Sequence, residues 1–336
     1  MQIQQNISLK QYNTFGIDAM ARFFSAFSST GQLAELADSF PALSKLILGG
    51  GSNILFTKNV EGLVLKNEIM GIQKIKEDEN FVYVQAGAGE NWHQFVQTCI
   101  ANNWCGVENL SLIPGHVGAT PMQNIGAYGV EIKEVFYELE AFHLQDKKPY
   151  TFTLQDCEFG YRESVFKKRY KGQFVILQVT YKLSRQPRLN TGYGAIEQEL
   201  ERMKVQQPTI RDVSQAVINI RSSKLPDPQK IGNAGSFFKN PSVSKEHFQL
   251  LHASFPDIVG YQNADRSVKL AAGWLIEQCG WKGFRRGDAG CHARQALVLV
   301  NYGSASGQEI YRLSEEIVQS VKAKFGVALE REVNIV

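Results

Sequence analysis

Hydrophobic and polar positions along this chain follow two periods that alternate repeatedly. FVYVQAG, residues 81–87, alternates apolar with polar and predicts a strand. Directly after it, a helix from Asn91 places Trp92, Phe95, Val96, Cys99 and Ile100 on one face. TGQLAELADS, residues 30–39, predicts a short helix with Thr30 as N-cap. The apolar run in LSKLILGGGSNILF, residues 43–56, predicts a strand entering three glycines. EVFYELEAFHL, PYTFTLQDCEFGYRESVFK and FVILQVTYKL form a β-rich middle. TIRDVSQAVINIRSS predicts a helix that starts at Thr209 and stops before Pro226. In the last third, SVKLAAGWLIEQCGW predicts an amphipathic helix and CHARQALVLVNYG a turn into a buried strand. SGQEIYRLSEEIVQSVKAKFGV predicts a long helix ending near Gly326, and LEREVNIV a terminal strand. Period two sets Glu330, Glu332 and Asn334 on one face of that strand and Leu329, Arg331, Val333 and Ile335 on the other.

At 336 residues the chain is long for one core and predicts two or three domains. A polar, proline-flanked break over residues 184–208 and a boundary between 220 and 232 fit that expectation. With 36 basic and 33 acidic residues, net charge +3, the chain is no polycationic nucleic-acid binder, though a local basic pocket is compatible. The five cysteines are odd in number and none are spaced CxxC, so neither a disulfide framework nor a zinc site is suggested, and no metal is expected. The first residues lack a basic and an apolar region, and no apolar run approaches the ~20 residues of a membrane span. A reducing cytoplasm is the expected compartment.

Four stretches carry candidate chemistry. The glycines of LGGGSN let backbone N–H groups face an anion, yet they match neither a Walker loop nor GxGxxG, and a hairpin turn is the alternative. NLSLIPGHVGATPMQNIGAYGVEI, residues 109–132, is glycine-rich and nearly uncharged. Such a long irregular stretch suits a polyphosphate-bearing cofactor or a buried structural loop. Arg162 in FGYRESVF is hemmed in by Phe159, Tyr161, Val165 and Phe166, and a desolvated guanidinium needs an anionic partner. GNAGSFFKNP, residues 232–241, presents Ser236 among small residues with no evident triad, leaving open a nucleophile, a phosphate ligand, a proton donor or a turn.

Taken in order, YNTFGI, LGGGSNILF, the 109–132 loop, FGYRESVF, SSKLPDP, GNAGSFFKNP, HARQALVLVN and LEREV resemble the UDP-N-acetylenolpyruvoylglucosamine reductases, over nearly the whole chain. TGYG, residues 191–194, is similar to the subclass with an extra substrate-covering tyrosine loop. The resemblance implies an α+β chain with the FAD-binding fold of the vanillyl-alcohol oxidase type. Residues 1–70 and 71–224 would be two flavin-binding subdomains and 225–336 a C-terminal α+β substrate domain, whose last strand returns a catalytic Glu to the flavin site. It further implies noncovalent FAD, NADPH as hydride donor, and reduction of UDP-N-acetylglucosamine enolpyruvate to UDP-N-acetylmuramate in cell-wall precursor synthesis. Small molecules would be the only partners, without nucleic acid or membrane, and the chain is taken as a monomer.

By the same resemblance Arg162 pairs with the substrate carboxylate, where a fork of donors serves better than a point charge. Glu332 hydrogen-bonds that carboxylate as a protonated acid, which requires a raised pKa. Ser236 donates the proton to carbon, so it needs no triad. Flavin contacts fall on Gly49, Gly50, Gly51, Ser52 and Asn53 and on Ser111, Pro114, Gly115, Gly118, Ala119 and Gly126. Tyr193, Lys224, Asn240 and Gln295 touch the UDP-sugar. The chain stops four residues past Glu332, so the terminal strand is expected to be less well anchored. Two rivals remain: an oxidase or dehydrogenase of the same flavin fold acting on another substrate, and a nucleotide-sugar binding protein without flavin.

Overall fold

The computed structural model describes residues 2–336 and divides the chain into two compact units. Neither is one stretch of sequence. The first takes residues up to Ile7, Ala21–Gly50 and Val60–Ser223; the second takes Ser8–Met20, Gly51–Asn59 and Lys224–Val336.

The first unit holds two sheets. One orders its strands Gln4–Ser8, Met20–Phe27, Val60–Asn67, Lys45–Leu48, with Val60–Asn67 parallel to both Met20–Phe27 and Lys45–Leu48. The other is antiparallel, in the order Lys148–Thr153, Phe136–His143, Phe174–Ser184, Phe81–Gly87, Ile72–Glu77. The Phe174–Ser184 strand is apolar on both faces because both are covered. Val175 and Leu177 pack with Phe27, Leu33 and Leu36, while Ile176, Val179 and Tyr181 pack with Trp92 and Phe95. Helix α1 (Thr30–Ser39) supplies the first group. Its N-cap is Ser29, whose Oγ accepts the Gln32 N–H, one residue earlier than expected. Thr30 already has its backbone in the helix, so the extended residue before it takes the cap. Helix α2 (Trp92–Ala101) buries the five predicted residues and is capped by Asn91. Its Trp92 and Phe95 rings lie 5.8 and 4.8 Å from that of Tyr181, an aromatic cluster that anchors the helix to the sheet. Helices α3 (Gly194–Arg202) and α4 (Ile210–Lys224) pack on one another through Ile196, Leu200, Ala216, Val217 and Ile220.

In the second unit, short strands at Gly232–Asn233, Leu299–Asn301, Ala289–Cys291 and Arg285–Arg286 form one sheet. Ser242–Val243, Val268–Leu270 and Gly260–Gln262 form another. Helices α5 (Lys245–Ser254), α6 (Ala272–Gln278) and α7 (Gly307–Phe325) accompany them. The stretch SVKLAAGWLIEQCGW is therefore half strand, half helix, because Val268–Leu270 pairs with both Ser242–Val243 and Gly260–Gln262 before α6 begins. Helix α7 has a full capping box, Ser306 with Glu309, and stops at Gly326 with φ +66°. Within LEREVNIV the strand proper is Asn334–Ile335, which pairs in parallel with Ile54–Leu55, while Arg331 makes a single bridge to Phe238. The Thr57 N–H donates to Val336 O at 2.6 Å and the Val336 N–H to Leu55 O at 2.9 Å, so the terminal strand is anchored, contrary to expectation. No helix among the described residues is long and apolar enough to cross a membrane.

Candidate functional site

In the second unit, the opening motif YNTFGI turns out to be a brace for GNAGS. Thr14 Oγ1 donates to Asn233 O at 2.6 Å, and the Asn233 N–H donates to Thr14 O at 3.0 Å. A Cβ on Gly232 would lie 2.2 Å from Phe15 O, so only glycine permits this approach. Gly235 takes φ +69° and turns the chain into Ser236, whose side is open while Phe237 and Phe238 are buried. The Glu332 N–H donates to Phe237 O at 2.8 Å, and Phe238 pairs with Arg331. The serine and the carboxylate thus come from adjoining backbones. Glu332 is half-buried, its own carbonyl held by Asn53 Nδ2 at 3.4 Å. Asn53 O in turn accepts from Asn334 N–H at 3.2 Å. The neighbouring Glu330 is exposed and pairs with buried Lys239 at 2.5 Å.

Asn240, Gln295 and Lys224 belong to this same unit. Asn240 Oδ1 accepts the Ala272 N–H at 3.0 Å at the start of α6. Gln295 Oε1 accepts from Leu297 N–H at 3.3 Å and stands 3.0 Å from where a Gly273 Cβ would be. Lys224 is exposed. Gly51 has φ +61°, and a Cβ there would sit 2.0 Å from Tyr12 O.

Ser52 lies in the second unit as well, and the remaining candidates lie in the first. Here the 109–132 loop is not a free loop. The Trp92 N–H donates to Gly115 O at 3.0 Å and Trp92 Nε1 to Leu110 O at 2.9 Å. The Gly118 N–H donates to Ala88 O at 3.0 Å, and a Cβ on Gly118 would meet Ala88 Cβ at 2.6 Å. Thr120 shares a 2.7 Å hydrogen bond with the hydroxyl of buried Tyr181. Ser111 is fully buried, its Oγ bonded to Glu108 O and Ser214 Oγ, both at 2.7 Å. Pro114 and Ala119 are exposed. Gly49 and Gly50 run close to this loop: a Gly50 Cβ would meet His116 Cδ2 at 2.9 Å and Gly115 Cα at 3.1 Å. His116 Nδ1 is buried without a hydrogen-bond partner, and burial together with Lys66 holds the imidazole below its ordinary pKa. A close-packed glycine cradle beside an orphaned polar atom is what a bound flavin nucleotide would fit and complete.

Arg162 adopts φ +54°, a conformation arginine rarely takes, and is half-buried. Its Nη2 donates to Gly126 O at 2.6 Å, and a Cβ on Gly126 would stand 3.1 Å from Nη1. Strain of this kind persists where the surroundings over-determine a side chain. Tyr193 is 50% exposed and meets the Tyr128 ring edge-on at 5.5 Å. Asn190 and Asn109 hold the loop that carries it. Asn190 Nδ2 donates to Gly129 O at 3.2 Å, and Asn109 Nδ2 donates to both Tyr128 O and Asn190 O.

Sequence reasoning missed His116, Tyr128, Asn190 and Arg221. Arg221 is the clearest. Burial pushes its guanidinium pKa down, and Tyr128 hydrogen-bonds it. It follows Val217 by four residues, on the buried stripe of α4, and that spacing was a readable signal.

Two family models match the chain: the FAD binding domain over residues 28–143, and the UDP-N-acetylenolpyruvoylglucosamine reductase C-terminal domain over 227–336. The UDP-N-acetylenolpyruvoylglucosamine reductase of Flavobacterium johnsoniae is 52% identical, covering 100% of both chains. That of Pseudomonas syringae pv. tomato is 50% identical, covering 100% of this chain and 99% of its own. Among solved structures, the Thermus caldophilus UDP-N-acetylenolpyruvylglucosamine reductase aligns with a TM-score of 0.70 at 23% identity, covering 100% of this chain and 99% of its own. The fold is accordingly α+β with a FAD binding domain.

Proposed function

Because this chain belongs to the UDP-N-acetylenolpyruvoylglucosamine reductase family, we propose that it uses NADPH to reduce UDP-N-acetylglucosamine enolpyruvate to UDP-N-acetylmuramate, with Ser236 as the proton donor. It is an oxidoreductase and a flavoprotein of peptidoglycan synthesis. FAD, held by Gly49–Asn53 and by residues 111–126, would when bound pass a hydride from NADPH to the terminal carbon of the enol ether. We read residues 1–70 and 71–224 as flavin-binding and 225–336 as substrate-binding. The compartment is the cytoplasm and the working form a monomer.

The chain's own residues then have three tasks. Arg162 pairs its fork with the substrate carboxylate, into which negative charge spreads as the hydride arrives. Glu332, as a neutral acid, hydrogen-bonds the same carboxylate. Ser236 gives its hydroxyl proton to the adjacent carbon; the enolate is basic enough to take it once water is excluded. Tyr193, Lys224, Asn240 and Gln295 hold the nucleotide sugar. What supports this reading is the 2.8 Å bond from the Glu332 N–H to Phe237 O, which sets a carboxyl beside the residue that follows the serine. The test is sequential and anaerobic: NADPH should bleach the flavin absorbance, and the enolpyruvyl nucleotide should restore it. Oxygen uptake with alcohols and no response to the nucleotide would overturn the proposal.

A further inference from the structure

Leu112 has φ +58°, inside the left-handed region. Asparagine tolerates that region through local hydrogen bonds, as Asn124 does in the same loop at φ +45°; leucine has no such compensation. Both backbone polar groups of Leu112 are held from outside the loop. The Leu112 N–H donates to His93 Nδ1, in the first turn of α2, at 3.0 Å. Its carbonyl accepts from Arg221 Nε, near the end of α4, at 3.2 Å. The residues before it are fixed as well, Leu110 by Trp92 and Ser111 by Ser214. Two helices therefore grip one strained residue two positions ahead of Pro114.

We propose that His93 and Arg221 form a clamp that presets the loop 112–115 for the flavin, with neutral His93 as a positioning residue. This rests on the reading of that loop as a flavin contact. Only a neutral imidazole offers a lone pair at Nδ1 to the Leu112 N–H. Burial, with a contribution from the charge of Arg221, holds the His93 pKa below its ordinary 6.5. Arg221 is the charged group that acts on His93; Tyr128 hydrogen-bonds Arg221, and the charge of Arg162 also reaches it. Glu108, nearby in the loop, accepts from Gly106 N–H at 2.7 Å, and burial raises its pKa. Because the clamped form depresses the His93 pKa, the clamp is complete above about pH 6.5 and opens as pH falls through the depressed value.

The experiment follows FAD release from diluted holo-protein by the recovery of free-flavin fluorescence, between about pH 5 and 8. Wild type should hold FAD progressively less tightly below about pH 6.5. His93→Ala should lose about tenfold in FAD affinity at pH 8, the scale of an unsatisfied buried donor. His93→Asn, whose Oδ1 can replace Nδ1 as acceptor, should stay within about threefold and lose the pH slope. Leu112→Gly in the His93→Ala background should recover most of the affinity, since glycine adopts this φ unaided. The clamp is refuted if Ala and Asn weaken FAD equally, or if the acid slope survives in His93→Asn. Wild-type protein that carries no FAD would defeat the flavin reading alone. The clamp would then be judged by hydrogen-exchange protection of residues 110–115, which His93→Ala should lower about tenfold and His93→Asn should preserve.

Discussion

Gly51→Ala and Gly16→Ala form a matched pair that isolates why the glycine run must be glycine. The two residues have similar φ, +61° and +66°, so an alanine at either carries the same left-handed penalty, about 1–2 kcal/mol. Around Gly16 a new Cβ meets nothing within 4 Å, whereas at Gly51 it lands 2.0 Å from Tyr12 O and 2.9 Å from Asn13 Cα. Reaching even 3.0 Å from Tyr12 O means moving backbone by about 1 Å. That backbone is pinned. Asn13 Nδ2 donates to Leu9 O and Ile17 O at 2.8 and 2.9 Å, and its Oδ1 accepts from Ile17 N–H at 3.0 Å. The Thr14 N–H, next along, donates to Gly51 O at 3.0 Å. Losing two of these bonds adds roughly 2–3 kcal/mol, so Gly51→Ala should cost about 3–5 kcal/mol against 1–2 for Gly16→Ala. Urea unfolding followed by far-ultraviolet circular dichroism reads both. A difference below about 1 kcal/mol between the two variants would show that the overlap relaxes freely and that the argument from close approach is wrong.

Ser236→Ala should leave flavin bleaching by NADPH intact and slow its reoxidation by the enolpyruvyl nucleotide by ~100-fold or more, the scale of a lost general acid. Stopped-flow absorbance separates the two steps; a defect confined to bleaching would remove the serine from proton donation. Arg162→Lys should lower kcat by at least ~10-fold, because a point charge replaces a fork. Near-normal turnover would take Arg162 off the carboxylate. Asn190→Ala removes the bond to Gly129 O and should raise KM for the nucleotide about 2- to 10-fold with kcat little changed, measured by steady-state kinetics. An unchanged KM would separate the loop from substrate binding.

Much of the fold was legible where one period runs long enough. Helix α2 emerged with its buried face correct because five apolar residues share one stripe, and α7 because a long segment runs to a stop glycine. The stretch from Ser267 to Trp281 misled because a three-residue strand carries too little alternation to separate it from the helix that follows. Ser236 and Glu332 were legible as residues, but the bond that brings their backbones together spans almost a hundred positions and leaves no periodic trace. His116, Tyr128 and Arg221 were hidden for another reason. Each gains its meaning from burial against a second loop or helix, and burial of a polar side chain is decided by tertiary neighbours.

The second unit gathers its pieces from residues 8–20, 51–59 and 224 onward. Leu55 and Phe56, both fully buried, lie alongside partners made far later: Ile335 pairs with Leu55, and Gly307 packs so tightly on Phe56 O that a Cβ would come within 1.7 Å. At ribosomal speeds of about 5–20 residues per second, those side chains stay wet for some tens of seconds while the intervening polypeptide is made. The first unit draws nothing from beyond Ser223 and can close earlier. Nascent chains should therefore carry one finished body and one sticky, waiting segment, which makes the interval before release the period of greatest demand on chaperones.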